Sequence, residues 1–231
     1  MTLLLPVLNE IHGVREIMPR VRPEWCDQIL VVDGGSTDGT AEYFRERGYA
    51  VVDQRRPGMR FAYLDALSQV TGDVIITFSP EGNSIPELIP PLIEKIREGY
   101  DMVIVSRYAD GARSDDDDTV SGLANLVFTR TINLLFRARY TDAMVMFRAY
   151  RRELIGTLDL DKEASYWPEE AVFGKRVGWE PLLSIRAAKR RLRVTEIPGS
   201  EPARIGGRKR LHVLWGFAYI LEIAREVISW R

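Results

Sequence analysis

The feature that most constrains this chain is an alternation, over about its first hundred residues, of short apolar runs with segments of helical spacing. Leu3 to Val7, Gln28 to Val32, Ala50 to Asp53, Val74 to Phe78 and Met102 to Val105 are short and rich in branched residues, and read as strands. Between them, Val14, Ile17, Met18 and Val21, then Met59, Ala62, Tyr63, Ala66, Leu67 and Val70, then Leu88, Leu92, Ile93 and Ile96 recur at the spacing of helix faces. Strand, helix and strand in succession imply parallel pairing through crossover helices, so the expected fold is α/β with a mostly parallel central sheet flanked by helices.

The pattern changes after Ser106. An acidic run, Asp115 to Asp118, precedes a helix whose apolar residues from Leu123 to Phe136 cover almost every face, so that helix is either deeply buried or rests on something apolar. A helix at about Pro181 to Arg191 and a strand at Arg193 to Ile197 follow. An amphipathic helix then runs from Leu211 to the end, with Val213, Leu214, Phe217, Ile220, Leu221, Ala224, Val227 and Ile228 as its apolar stripe. The expected organisation is one domain over residues 1–210, with the helix of 211–231 packed on the body, on a dimer partner or on a membrane surface.

Thirty-two basic residues against 33 acidic ones give a net charge of −1, which offers no field for binding nucleic acid. A single cysteine, Cys26, fits a reducing compartment. No uncharged apolar stretch reaches the ~20 residues that cross a bilayer, and Met1 to Pro6 lacks the pattern of a secretory signal. The chain is therefore expected in the cytoplasm, with attachment at the inner face of the membrane open.

Ligands of an open parallel sheet sit beyond the carboxyl ends of its strands. The polar residues there are Asn9 and Glu10 after the first strand, Asp33 after the second, and Glu81 and Asn83 after the strand ending at Phe78. Carboxylates and amides in these places can accept from a base or ribose and can hold a hard divalent cation against a diphosphate. Ser36 and Asp38, in the turn Asp33-Gly34-Gly35-Ser36-Thr37-Asp38-Gly39, are residue types that cap the helix that follows. No G-x-G-x-x-G follows a strand, which disfavours a dinucleotide oxidoreductase.

Pro6-Val7-Leu8-Asn9-Glu10 and Val31-Val32-Asp33-Gly34-Gly35-Ser36-Thr37-Asp38-Gly39-Thr40, at this spacing, resemble the two nucleotide-binding motifs of glycosyltransferase family 2. Within that family the chain is similar to polyprenyl-phosphate sugar synthases of the dolichyl-phosphate mannosyltransferase type. Ser106-Arg107-Tyr108, Asp142, Phe147 to Arg152 and the basic loop Arg204 to Leu211 also look like family segments, so the resemblance covers nearly the whole chain. It implies a GT-A fold and an inverting, metal-dependent transfer from a nucleotide diphosphate-sugar to a polyprenyl phosphate or a cell-envelope glycan precursor. It implies nucleotide contacts from Pro6, Asn9, Glu10, Asp33 and Ser36, with Asp33 on the base, and from Arg204 and Arg210 on the phosphates.

Two departures stand out. The family's metal-binding Asp-x-Asp falls on Ser79-Pro80-Glu81, which leaves Glu81 and Asn83 to hold Mg²⁺ or Mn²⁺. The loss of a carboxylate motivates a second reading, a nucleotide-sugar-binding or scaffold protein with weakened catalysis. The acidic run stands where the synthases carry basic residues, and a solvated loop is the expected reading of it. For the chemistry, Asp142 is the first choice of base for a hydroxyl acceptor and Glu170 the second, whereas an anionic acceptor needs positioning by Arg107. A homodimer is open.

Overall fold

The computed structural model describes residues 1–173, 178–206 and 213–229. The alternating segments form strands β1 (Thr2–Val7), β2 (Gln28–Asp33), β3 (Ala50–Asp53), β4 (Val74–Thr77) and β5 (Met102–Ser106). Between them lie helices α1 (Ile11–Ile17), α2 (Thr40–Glu46), α3 (Met59–Ala66) and α4 (Ile89–Arg97). The second half adds α5 (Thr119–Phe136), β6 (Arg148–Arg151), α6 (Leu154–Thr157), α7 (Glu169–Phe173), α8 (Trp179–Lys189), β7 (Val194–Pro198) and α9 (Val213–Ser229).

The strands join in one sheet of order β3-β2-β1-β4-β6-β5-β7. All pairings are parallel except those of β6, which runs antiparallel to β4 and β5. Burial on both faces explains the unbroken apolar runs. Leu4, Leu30, Val32 and Ile75 face a core with Tyr63, Ala66 and Trp179, while Leu3, Leu5, Val31 and Ile76 face another with Val14, Phe44 and Leu92.

The sequence pattern does not show β6, because Arg148-Ala149-Tyr150-Arg151 reads as polar. Arg148 is fully buried, and its guanidinium donates to the Ser184 hydroxyl at 2.9 Å and to the carbonyls of Val145, Ala143 and Glu180. An arginine saturated in this way is compatible with a sheet interior.

Helices α5 and α9 both turn apolar residues outward, which for α5 excludes the deeply buried alternative. Ser121, Asn125, Phe128, Thr129 and Ile132 of α5 point inward and Phe136 packs on the core edge, while Val120, Leu123, Leu126, Val127, Leu134 and Leu135 are exposed. The expected stripe of α9 also faces outward through Phe217, Ile220, Val227 and Ile228, while Ala218, Tyr219, Glu222, Ile223 and Glu226 pack inward against α5, α7 and α8. Glu226 pairs with the buried Arg186 of α8 at 2.8 Å.

Glu222 is different, since neither of its carboxylate oxygens accepts a hydrogen bond among the described residues. Burial pushes its pKa well above the ordinary carboxylate value, Arg225 opposes that, and the nearby Glu169 and Glu226 add to it. A raised native pKa means that the unfolded chain releases the proton first as pH climbs past about 4.3, and stability falls until the native pKa is passed. Glu222→Gln, which keeps the shape and removes the ionisation, is expected to unfold at a higher temperature than wild type at pH 8. The gap should close toward pH 4, and parallel melting profiles across that range would show that the carboxyl is not held neutral.

Candidate active site

Parallel pairing brings the ends of β1, β2, β4 and β5 to one edge, and the chain reverses direction across the sheet between β1 and β4. Pairing of β1 with β4 stops at Leu4, whereas pairing with β2 continues to Val7. Pro6 lies in this last stretch, where a residue without an N–H costs no bond to β4. The resulting gap is the position at which open α/β sheets receive ligands.

The loops after β1 and β2 form one wall. Asn9 has a left-handed φ of 57°, which asparagine tolerates, and this turns both its backbone and side chain toward the second loop. Its N–H donates to Ser36 Oγ at 2.9 Å and its Oδ1 accepts from the Thr37 N–H at 2.8 Å. Glu10 N–H donates to Thr40 Oγ1, and Asp38 accepts from the N–H groups of Ile11 and Thr40. Ser36 and Asp38 therefore bind the two loops together. The N-cap position of α2 is Gly39, which has no side chain, and Asp38 one residue earlier accepts from the helix's first N–H, that of Thr40, at 3.0 Å.

Asp33 is buried at the base of this wall. One carboxylate oxygen accepts from the N–H groups of Gly35 and Ser36 at 3.0 Å each, while the other is buried with no hydrogen-bond partner. A buried unsatisfied acceptor is costly, and one at a cleft is what a ligand N–H would satisfy.

The loop after β4 forms the opposite wall. A side chain on Gly13 of α1 would come within 2.7 Å of the Glu81 backbone, and one on Gly82, whose φ is 101°, within 2.6 Å of Ile205. These two glycines let Glu81 lie clamped between α1 and the segment at Ile205, whose N–H donates to the Glu81 carbonyl at 2.7 Å. Arg204 then reaches Glu81 at 2.8 Å and grips Asp116 through Nε at 3.0 Å and Nη2 at 2.6 Å. The hydrogen bonds to Asp116 and the charge of Glu81 raise the guanidinium pKa further.

Beyond Arg204 lies a second charged centre. Arg107, after β5, meets Asp142 through Nε at 2.6 Å and Nη2 at 3.0 Å, and its Nη1 reaches Asp117 at 3.1 Å and Glu201 at 3.3 Å. Burial opposes the Arg107 charge, but Asp142, Glu201 and Asp117 outweigh it and raise its pKa. Burial raises the pKa of Glu201, which Arg107 partly offsets, and Glu201 also accepts from Asn83 Nδ2 at 3.3 Å.

The acidic run is thus not a solvated loop. Asp116 and Asp117 turn inward onto Arg204 and Arg107, and Asp118 caps α5 by accepting from the Ser121 N–H at 2.7 Å. The local cause is uncompensated guanidinium charge at a partly desolvated edge. Asp142 is fully buried, and both of its oxygens accept from the Arg107 guanidinium. Glu170 stands apart, bound to Arg60 of α3, and no described contact joins it to the Arg107 cluster. Arg210 lies outside the described residues, as does the basic loop from Gly207 onward. Glu201, Asp116 and Asp117 are additions to the sequence-based set. Glu201 follows β7 within Pro198-Gly199-Ser200-Glu201-Pro202, so the strand-end rule applied to one more strand finds it.

Among the described residues no three histidine, cysteine or acidic side chains group as a metal site. Glu81 and the buried, unsatisfied Oδ1 of Asn83 are nevertheless hard oxygen donors two positions apart. They fit a cation that takes one or two protein ligands and completes its shell with phosphate and water.

Glycosyltransferase AglJ of Haloferax volcanii is 25% identical over 197 residues, covering 85% of this chain and 61% of that protein. Undecaprenyl-phosphate 4-deoxy-4-formamido-L-arabinose transferase of Klebsiella pneumoniae is 31% identical over 169 residues, 68% of this chain and 50% of that one. The chain thus spans only half to about three fifths of the length of these relatives. In fold it resembles glucosyl-3-phosphoglycerate synthase of Mycobacterium tuberculosis, solved with Mn²⁺, uridine diphosphate and phosphoglyceric acid. The TM-score is 0.71 at 20% identity, over 98% of this chain and 78% of that one. A structure of the same enzyme with Mg²⁺ and uridine diphosphate superposes with a TM-score of 0.72 at 20% identity, over the same shares of the two chains. Residues 2–158 match glycosyl transferase family 2, and with both nucleotide-loop motifs joined at one sheet edge, this chain belongs to that family.

Proposed function

We propose that this chain binds a nucleotide diphosphate-sugar in the gap between β1 and β4 and transfers the sugar, with inversion, to an acceptor presented near Arg107. The observation that carries this is the buried Asp33 oxygen without a hydrogen-bond partner at the end of β2, the sheet edge at which Glu81, paired with Arg204, follows β4. Asp33 accepts from an N–H of the base, and the joined loops of Asn9, Glu10 and Ser36 hold the nucleoside beside Pro6. Glu81 and Asn83 hold Mg²⁺ or Mn²⁺, which neutralises charge on the departing diphosphate. Among the described residues Arg204 is a cation able to stabilise the same charge, and Arg210 is assigned to that loop by resemblance alone.

Arg204 is engaged by Asp116 and Glu81, so binding of a diphosphate exchanges one anionic partner for another. Asp142 acts through Arg107, as a positioning residue, because its oxygens are committed to that guanidinium. Two acceptors follow from different observations. The Klebsiella relative is named for undecaprenyl phosphate, which supports a lipid phosphate at Arg107. Three carboxylates around Arg107 instead favour an uncharged glycan hydroxyl, with Glu201 as the base. Transfer assays offering undecaprenyl phosphate and a neutral glycan side by side distinguish the two. A nucleotide-sugar-binding protein with weakened catalysis is favoured by the Glu81–Arg204 pair, and it predicts donor binding without turnover in Mn²⁺.

Calorimetry with uridine diphosphate and Mn²⁺ tests the donor half. Asp33→Asn is expected to weaken binding by about tenfold or more, the scale of ~1–3 kcal/mol for a lost buried acceptor. Unchanged affinity would remove Asp33 from the base site. Asp116→Asn should tighten binding by roughly three- to tenfold, since a part-buried competitor of ~1 kcal/mol is lost; weaker binding would mean that Asp116 orients Arg204. Asp142→Asn should raise the acceptor KM while leaving the shape of the kcat–pH profile intact. Loss of the basic-side or acidic-side limb of that profile would return Asp142 to the role of base.

A further inference from the structure

The cation site proposed at Glu81 and Asn83 has one carboxylate, because Ser79 stands at the other acidic position of the motif. The Asn83 amide therefore supplies a larger share of the protein ligands there. An amide has two ends of nearly the same shape, an oxygen that accepts and an NH₂ that donates, and a half-turn of the side chain exchanges them. Only the oxygen can ligate a cation, so the group that fixes this turn matters.

In this chain that group is Glu201. Asn83 Nδ2 donates to Glu201 Oε1 at 3.3 Å, which leaves Asn83 Oδ1 as the buried end without a hydrogen-bond partner. An ionised carboxylate only accepts, so the reverse orientation would set two oxygens against each other. Glu201 is itself pinned. Its Oε2 accepts from the Ser114 hydroxyl and from Arg107 Nη1, the latter at 3.3 Å. Its backbone forms a parallel bridge with Ser114, the N–H donating to the Arg113 carbonyl at 2.9 Å and the carbonyl accepting from the Asp115 N–H at 2.8 Å. Gly199 allows this placement, since a Cβ there would collide with Val105 of β5 and with Leu88. With 12% of its side chain exposed and three donors around it, the carboxylate has little freedom to turn.

We propose that Glu201 is a positioning residue for the divalent cation: held by Arg107 and Ser114 at one oxygen, it uses the other to fix the Asn83 amide with Oδ1 presented as a ligand. The Arg107 cluster and the cation side of the site are thereby joined through one carboxylate. The inference rests on the reading of Glu81 and Asn83 as the cation site and adds a residue outside that ligand set.

Titration of Mn²⁺ into the full chain saturated with uridine diphosphate, followed by the paramagnetic resonance signal of free Mn²⁺, tests it. No acceptor is present, so proton transfer by Glu201 does not enter the measurement. Glu201→Gln keeps the shape but has one accepting end, and it cannot serve both Asn83 Nδ2 and Arg107 Nη1. It is expected to weaken Mn²⁺ binding about tenfold or more, the scale for partners that orient metal ligands, and to leave metal-free binding of uridine diphosphate unchanged. Ser114→Ala, which removes one pin and keeps the carboxylate, should weaken Mn²⁺ binding by about two- to fivefold. Asn83→Asp reverses the demand at this contact, because a carboxylate at position 83 accepts from the glutamine amide while the glutamine oxygen accepts from Arg107. Glu201→Gln made in the Asn83→Asp background is therefore expected to leave Mn²⁺ affinity unchanged or to raise it. A loss of equal size in both backgrounds would overturn the proposal, since a missing charge or a disturbed loop acts alike in the two. Unchanged Mn²⁺ affinity in both Glu201→Gln and Ser114→Ala would overturn it as well. A wild-type chain that binds uridine diphosphate without taking up Mn²⁺ would remove the cation site itself, and the role of Glu201 with it.

Discussion

The structure depends on β1 being paired in parallel on both sides while its side chains are buried on both faces. Parallel neighbours require crossover helices, and crossovers of one hand deliver the polar loops after β1, β2 and β4 to a single edge. Everything chemical in this protein follows from that delivery. The loops of Asn9 and Ser36 are then locked by hydrogen bonds between side chains and backbone, which places the unsatisfied Asp33 oxygen at the bottom of a preformed wall.

Across the gap the organising force is charge. Arg204 and Arg107 are each shared among several carboxylates from loops far apart in sequence, and these pairs fold the acidic run inward. Such pairs lose desolvation energy and regain it through short, multiple contacts, so their net contribution to stability is small. Their consequence is specificity of arrangement: each guanidinium is held in a defined orientation by its anionic partners.

Legibility differed between the walls for a physical reason. Asn9, Asp33 and Glu81 were recognisable because a residue just past a strand in a parallel sheet has its location set by the strand itself. Glu201 obeyed the same rule after β7 and could have been read. Asp116 and Asp117 could not, since four consecutive aspartates look solvated unless the cations they meet are known, and Arg107 and Arg204 are about ten and ninety positions away in the chain. β6 was concealed by Arg148, whose burial is tolerated only because surrounding carbonyls and Ser184 accept its N–H groups.

The helices at the side of the body show the limit most clearly. Spacing alone determined that α5 and α9 exist and that α9 has an apolar stripe, because helical periodicity is a local property. Which face turns inward is decided by what the rest of the protein offers: Arg186 draws Glu226 inside, and Tyr219 packs on Phe128. The sequence by itself determined the α/β order of elements, the two nucleotide-loop motifs and the strand-end residues. Only the tertiary structure decided the partners of Arg107, Arg204 and Asp142 and the outward turn of the apolar stripes, because charge pairing and burial depend on groups that the chain separates and folding brings together.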